Sequence, residues 1–246
     1  MEAVSRLLYV PFHEGVISQF DGYEKLLQFD FERYRAQYGN LGRLDLILES
    51  EGDSTNHYQV AKQPDTLMLF YLLSAEELRQ VLQRLGYELA PETLQRTIEY
   101  YEERSTQGST LARVVHAWVS ARADRADSWR YFDEALSSDI ADIQGGTTRE
   151  GIHLGAMAGT IDILQRCYTG LEVRDDRLHL NPMLPPELES INVPIAYRGH
   201  VLDIDIDHTR ARVHLHSGSG APFVIVFGDE ELVLHAGDVV ERPIDH

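Results

Sequence analysis

Cysteine is almost absent. Cys167 stands alone among 246 residues, so no internal disulfide can form and a reducing compartment suits the chain. Cationic residues are scarce too: 22 Lys and Arg face 40 Asp and Glu, a formal net charge of −18. Such a surface repels nucleic acid and anionic lipid. Neither nucleic acid nor membrane is therefore expected as a partner, and a small anion would bind only where local donors overcome the field. No apolar run is long enough to span a bilayer, and Met1-Glu2-Ala3-Val4 does not open a signal peptide. A cytoplasmic protein is expected. Repeats and low-complexity tracts are also missing. At 43% hydrophobic residues, the chain can bury one large core or two smaller ones.

What is present falls into two patterns. Up to about residue 170 the spacing is helical. Glu2–Tyr9 reads as a helix tail stopped by Pro11, and Phe12–Tyr23 as an aromatic, polar loop of the kind that faces substrate. Helical spacing resumes over Tyr23–Tyr38 and Leu41–Ser50. Pro64 sits at the start of a buried apolar helix over Thr66–Leu73, and Ser74 with Glu77 forms a capping box. Pro91 opens the next helix, to Arg104; Ser109 or Thr110 caps another, to about Ala123. Asp127–Ile140 is amphipathic, with Trp129, Phe132 and Leu136 on one face, and a last helix ends near Gly170, a plausible C′ residue. Antiparallel-looking helix pairs of this length argue for a helical bundle or an α/α barrel. The opening has no N-terminal element of its own and reads as cut from something longer.

From Leu171 the runs are short and alternating: Leu178–Leu180, Ile191–Tyr197, His200–Asp207, Ala211–His216, Phe223–Phe227 and Glu231–Leu234, with turn formers between them. Within them Val201–Asp207 reads VLDIDID, aliphatics on one face and carboxylates on the other. The aspartates suit a solvated sheet face far better than a calcium site. A mainly α region, residues 1–172, followed by a small antiparallel β domain, residues 173–246, is expected.

One stretch stands out, IQGGTTREGIHLGAMAGT over Ile143–Thr160. Gly145-Gly146 frees the backbone for positive φ, and Thr147 precedes Glu150 at capping-box spacing. The helix after it is rich in Gly and Ala, residues tolerated there for close packing or for the close approach of a ligand. A helix start with free N–H groups, Thr147, Thr148 and His153 is also a ready anion site. The plainer reading, a tight loop capping a buried helix with His153 a satisfied core histidine, stands beside it. Lys62 and Gln63 likewise read either as donors at the mouth of a buried helix or as partners of loop carbonyls.

Four stretches together resemble the C-terminal part of glycoside hydrolase family 65, the inverting disaccharide phosphorylases such as the maltose, trehalose and kojibiose phosphorylases. They are GVISQFDGY (15–23), YQVAKQPDTLMLFYL (58–72), YYEERSTQGSTLARVVHAWV (100–119) and QGGTTREGIHLGAMAGT (144–160), with LNPMLPPEL (180–188) in the β tail. The resemblance implies the C-terminal half of an (α/α)₆ barrel followed by the small β domain. It implies that Lys62 and Gln63 bind hydroxyls of the transferred glucosyl unit. Ser109, Thr110, Gly146, Thr147, Thr148 and His153 would hold phosphate, which acts as co-substrate; no metal or other cofactor is implied.

The implied reaction is single-step phosphorolysis of an α-glucosyl disaccharide with inversion. Phosphate attacks the anomeric carbon while a carboxylic acid protonates the departing oxygen, giving β-glucose 1-phosphate and a sugar. An anionic nucleophile needs positioning rather than a base. Two positions depart from the pattern: relatives often carry His before Gly-Ser and Ser after Leu, where this chain has Gln107 and Ala112. No counterpart of the family's general acid, a glutamate, is found here; it is expected upstream of residue 1, in a longer, homodimeric enzyme. The chain alone would then be inactive, with an apolar wall exposed where the missing helices pack. Two other readings remain. A trehalase-like hydrolase would need a catalytic base, for which Glu150 is the only candidate; a non-catalytic sugar- or phosphate-binding fragment would need none.

Overall fold

The structure, a computed structural model, describes residues 7–63, 65–106, 108–121, 124–143, 147–218, 220 and 222–244. The chain divides into two compact units: residues 1–119 with 134–156, and residues 120–133 with 157–246.

The first unit opens on a two-stranded hairpin, β1 (Phe12–His13) with β2 (Val16–Ile17), within the stretch expected as an aromatic, polar loop. Its two-residue turn is Glu14-Gly15, both at positive φ, the geometry that matches strand twist. Thr97 and Tyr101 fasten it: Ile17 N–H donates to Thr97 Oγ1 at 3.2 Å, and the Tyr101 hydroxyl donates to the Ile17 carbonyl at 3.0 Å.

Eight α-helices follow among the described residues: α1 (Phe31–Tyr38), α2 (Leu44–Ser50), α3 (Asp65–Leu72), α4 (Ala75–Arg84), α5 (Pro91–Glu102), α6 (Thr110–Ser120), α7 (Arg125–Ala141) and α8 (Leu154–Asp162). Ser74 and Glu77 form the expected capping box, and Pro91 opens α5. The helix expected over Tyr23–Tyr38 is instead a 3₁₀ turn at Tyr23–Lys25, an extended stretch, and then α1, capped by Asp30. The side chains Ile17, Tyr23, Leu67, Phe70, Leu78, Leu82, Tyr101, Val115 and Val119 form one core. A smaller one holds Phe29, Tyr34, Leu41, Leu44, Leu48 and Val60.

Two helical expectations are corrected. Leu136, expected on the buried face of α7, is exposed together with Ile140, because the buried stripe runs through Ser128, Tyr131, Phe132, Ala135 and Ser138. Spacings of 3, 4 and 3 through Ser128, Tyr131, Ala135 and Ser138 leave Leu136 off it. Thr147–Glu150 does not open a long helix either: it is a single 3₁₀ turn, and α8 starts only at Leu154 after Gly151 at φ 103°. Beyond α8 the helix widens into a π-helical turn, Ile163–Tyr168, and ends at Gly170, φ 60°. A methyl group on Gly170 would stand 2.0 Å from the Asn181 carbonyl oxygen, so both φ and space demand glycine.

The second unit carries two four-stranded sheets. One has the order β10 (Val239–Pro243), β7 (Arg210–Ser217), β6 (His200–Asp207), β5 (Ser190–Tyr197), antiparallel throughout. The other runs β3 (Glu172–Arg174), β4 (Arg177–Leu180), β8 (Phe223–Phe227), β9 (Glu230–Leu234), antiparallel except that β4 and β8 are parallel. Strand β6 behaves as its alternation requires. Leu202, Ile204 and Ile206 are buried, and Asp203, Asp205 and Asp207 bond to His216, Asn192 and the Thr209–Arg210 turn. Every one of those carboxylates therefore has a protein partner.

Candidate active site

Lys62 and Gln63 follow a buried polar hub. The Gln59 amide donates to the carbonyls of Glu24 and Leu26, and its oxygen accepts from Gln28 Nε2, the Tyr100 hydroxyl and Arg104 Nε. The Arg104 guanidinium in turn lies 3.8 Å from the Tyr100 ring centroid. Two residues on, Ala61 pairs in parallel with Ser105: Ala61 N–H donates to the Arg104 carbonyl at 3.0 Å, and Thr106 N–H to the Ala61 carbonyl at 3.0 Å. The segment carrying Lys62 is thus tied to the segment that leads into α6.

The tie closes at Gly108. A methyl group there would lie 2.2 Å from the Gly42 carbonyl oxygen and 3.1 Å from Lys62 Cγ. The stem of the exposed Lys62 therefore runs against the residue just before Ser109. Ser109 sits half-buried ahead of α6, its carbonyl accepting from Ala112 N–H, and Thr110 is the buried first residue of the helix. Gln63 is half-buried and its amide reaches Met68 Sδ at 3.4 Å. Ala112, one of the two departures from the family pattern, is fully buried; Gln107, the other, lies outside the described residues.

The second half of the candidate site hangs on the end of α7. His153 is not a core histidine: its side chain keeps 26% exposure and precedes α8. One carboxylate holds it twice. Asp139 Oδ2 accepts from His153 N–H at 2.8 Å, and Oδ1 meets His153 Nδ1 at 2.5 Å. Those bonds hold the Asp139 carboxyl below the usual carboxylate range, the His153 side-chain bond being the largest cause. Thr148 N–H donates to Asp142 Oδ1 at 3.3 Å, while the buried Thr148 Oγ1 has no hydrogen-bond partner among the described residues. A buried hydroxyl in that condition is costly unless something else satisfies it. Gly146 and the side chains of Thr147 and Glu150 lie outside the described residues.

Sequence reasoning missed Asp139 and Asp142, yet they leave a signal. Both stand at the C-terminal end of α7, where the helix dipole disfavours a negative charge. Acidic residues in that position ask for a partner, and the two found here are His153 and Thr148. Arg113 of α6 was also missed. Its guanidinium meets Glu134 of α7 at 3.0 Å, which joins the helix that starts at Thr110 to the helix that ends beside Asp139.

Residues 1–162 match the profile of the glycosyl hydrolase family 65 central catalytic domain. The chain belongs to this family. Residues 171–234 match the family 65 C-terminal domain as well. An uncharacterized glycosyl hydrolase of Mycobacterium tuberculosis is 53% identical over 97% of this chain and 18% of its own length. Trehalose 6-phosphate phosphorylase of Lactococcus lactis is 35% identical over 96% of this chain and 30% of its own. For the kojibiose phosphorylase of Halothermothrix orenii the figures are 27%, 84% and 24%. A solved structure described as a kojibiose phosphorylase from the human microbiome superposes with a TM-score of 0.75 at 18% identity. That superposition covers 98% of this chain and 33% of the other, which establishes the shared fold. The family 65 chain thus spans less than a third of the length of these curated relatives.

Proposed function

We propose that this family 65 chain supplies the acceptor-phosphate half of an inverting phosphorylase acting on an α-glucosyl disaccharide, with β-glucose 1-phosphate as product. In this reading residues 1–172 are the C-terminal part of the (α/α)₆ catalytic barrel and residues 173–246 the C-terminal β domain of a longer, cytoplasmic, homodimeric enzyme. Lys62 and Gln63 bind the glucosyl hydroxyls. Ser109, Thr110, Gly146, Thr147, Thr148 and His153 hold inorganic phosphate, and the general acid comes from the preceding part of the barrel.

The contact that carries the reading is that of Lys62 against Gly108, just ahead of the start of α6. The Arg113–Glu134 pair extends it. From Arg113 the chain runs back about one turn to Ser109, and from Glu134 it runs on about one and a half turns to Asp139. In this reading the two helices linked by that pair carry the two halves of the site to a common mouth. Phosphate there meets a helix N-terminus and hydroxyls as donors, with the imidazole facing its own hydroxyl, partners enough to hold an anion in a protein of net charge −18.

Phosphate dependence of cleavage by the full-length enzyme tests the proposal, with trehalose, trehalose 6-phosphate and kojibiose as first substrates. Cleavage that proceeds equally without phosphate would favour a trehalase-like hydrolase, and none on any disaccharide a binding fragment. His153→Ala is expected to raise the phosphate KM about ten- to a hundredfold, the worth of one charge-assisted hydrogen bond. The disaccharide KM should move far less, because Lys62 and Gln63 hold the sugar.

A further inference from the structure

Asp139 is not one of the residues expected to touch sugar or phosphate, yet it spends both carboxylate oxygens on one residue, His153. It sits in the last turn of α7, and its side chain is only 10% exposed. A carboxylate at a helix C-terminus loses the favourable interaction it would have elsewhere, so two bonds to a single histidine are an arrangement with a directional consequence. Ionised, Asp139 can only accept. The hydrogen shared between it and His153 Nδ1 therefore belongs to the imidazole, and in the Nδ1–H tautomer the lone pair lies on Nε2. Among the described residues Nε2 has no hydrogen-bond partner, whereas the same carboxylate holds both the ring Nδ1 and the backbone N–H of His153.

We propose that Asp139 is the positioning residue of the phosphate site: it locks His153 in the Nδ1–H tautomer so that Nε2 accepts the hydroxyl proton of monohydrogen phosphate. This rests on the reading of His153 as a phosphate ligand. The proton balance of phosphorolysis gives the arrangement its use. An unprotonated phosphate oxygen forms the new bond to the anomeric carbon as the glycosidic bond breaks, and the general acid's proton goes to the departing oxygen. The sugar phosphate is left with the phosphate hydroxyl. His153 Nε2 takes that proton, the product leaves as a dianion, and the proton returns through solvent to the general acid. The sum is disaccharide plus monohydrogen phosphate giving sugar plus sugar phosphate dianion, with every proton accounted for. The opposite tautomer would present an N–H to the phosphate hydroxyl and leave that proton without a receiver.

Kinetics of full-length Asp139→Asn, His153→Ala and the double variant test the proposal. An asparagine amide can donate as well as accept, so it no longer specifies the tautomer. Asp139→Asn is expected to raise the phosphate KM about tenfold, to keep the disaccharide KM within about twofold, and to add nothing once His153 is alanine. Equal effects in the presence and absence of His153, or a parallel rise in both KM values, would assign Asp139 a merely structural role and overturn the proposal. Imidazole nitrogen NMR of the unsubstituted enzyme gives a readout that depends on no variant: an Nδ1–H signature supports it and an Nε2–H signature refutes it. If His153→Ala leaves the phosphate KM unchanged, the phosphate reading itself fails, an outcome separable from a silent Asp139→Asn in an enzyme that does respond to His153→Ala.

Discussion

Replacing Gly108 by alanine is the sharpest test of how the candidate site is assembled. The added methyl would stand 2.2 Å from the Gly42 carbonyl oxygen, where ordinary carbon–oxygen contact begins at about 3.3 Å. Backbone must therefore give by about 1 Å, since a carbonyl cannot swing away as a side chain does. The Gly42 loop is braced by Gly42 N–H donating to Asn40 Oδ1 at 2.7 Å, so the displacement falls partly on Lys62 Cγ, 3.1 Å from the same methyl. Overpacking of this kind costs about 1–3 kcal/mol, a fall of about 3–10 °C in the melting temperature of a chain this size. The catalytic consequence should exceed the thermal one. A misplacement of about 1 Å in a positioned group costs up to about a hundredfold in rate. In the full-length enzyme, a tenfold or greater loss of kcat/KM for disaccharide is therefore expected. The contrasting variant is Gly155→Ala. Gly155 lies in α8 with nothing within 4 Å of an added methyl, so alanine should raise stability by up to about 1 kcal/mol through helix propensity. If Gly108→Ala melts within 1 °C of the parent and keeps its disaccharide KM, the contact between Lys62 and the α6 start does not organise the site.

Gln59→Leu removes the acceptor of Tyr100 and Arg104 and the donor to two carbonyls; a loss of about 2–4 kcal/mol in urea unfolding is expected, and a loss below 0.5 kcal/mol would show that water replaces the hub. Asp207 has its pKa lowered to about 2, first by the Thr209 hydroxyl and then by Thr209 N–H. A depressed carboxylate stabilises the fold fully above its unfolded value, near 4, and the contribution is lost as the pH falls toward 2. Asp207→Asn should flatten the acid side of the stability profile between those limits, and an unchanged slope in denaturant titrations would refute the assignment. Leu136, Ile140, Ile152 and Leu154 are all exposed on the first unit, and exposed apolar side chains favour association. The isolated chain should self-associate in light scattering, and a monodisperse monomer at high concentration would count against the half-barrel reading.

Local chemistry made much of this legible in advance. The capping box at Ser74, the proline opening α5, the alternation of β6 and the change of period near residue 171 are all set by neighbours in sequence, and each stands in the structure. The family, too, was readable, because its motifs are contiguous stretches. What failed were features decided at a distance. The Phe12–Ile17 hairpin exists because Thr97 and Tyr101 receive it, and β3 and β10 are polar runs that become strands only beside β4 and β7. Leu136 is exposed because the buried stripe of α7 is centred on Ser128, Tyr131, Ala135 and Ser138, to one side of it. The site divides the same way. Lys62, Ser109, Thr148 and His153 announced themselves as candidates, because each stands in a contiguous motif near a helix start. Asp139 did not, because a carboxylate acquires its role only from the imidazole that folding brings to it across fourteen residues, a pairing that no local propensity encodes.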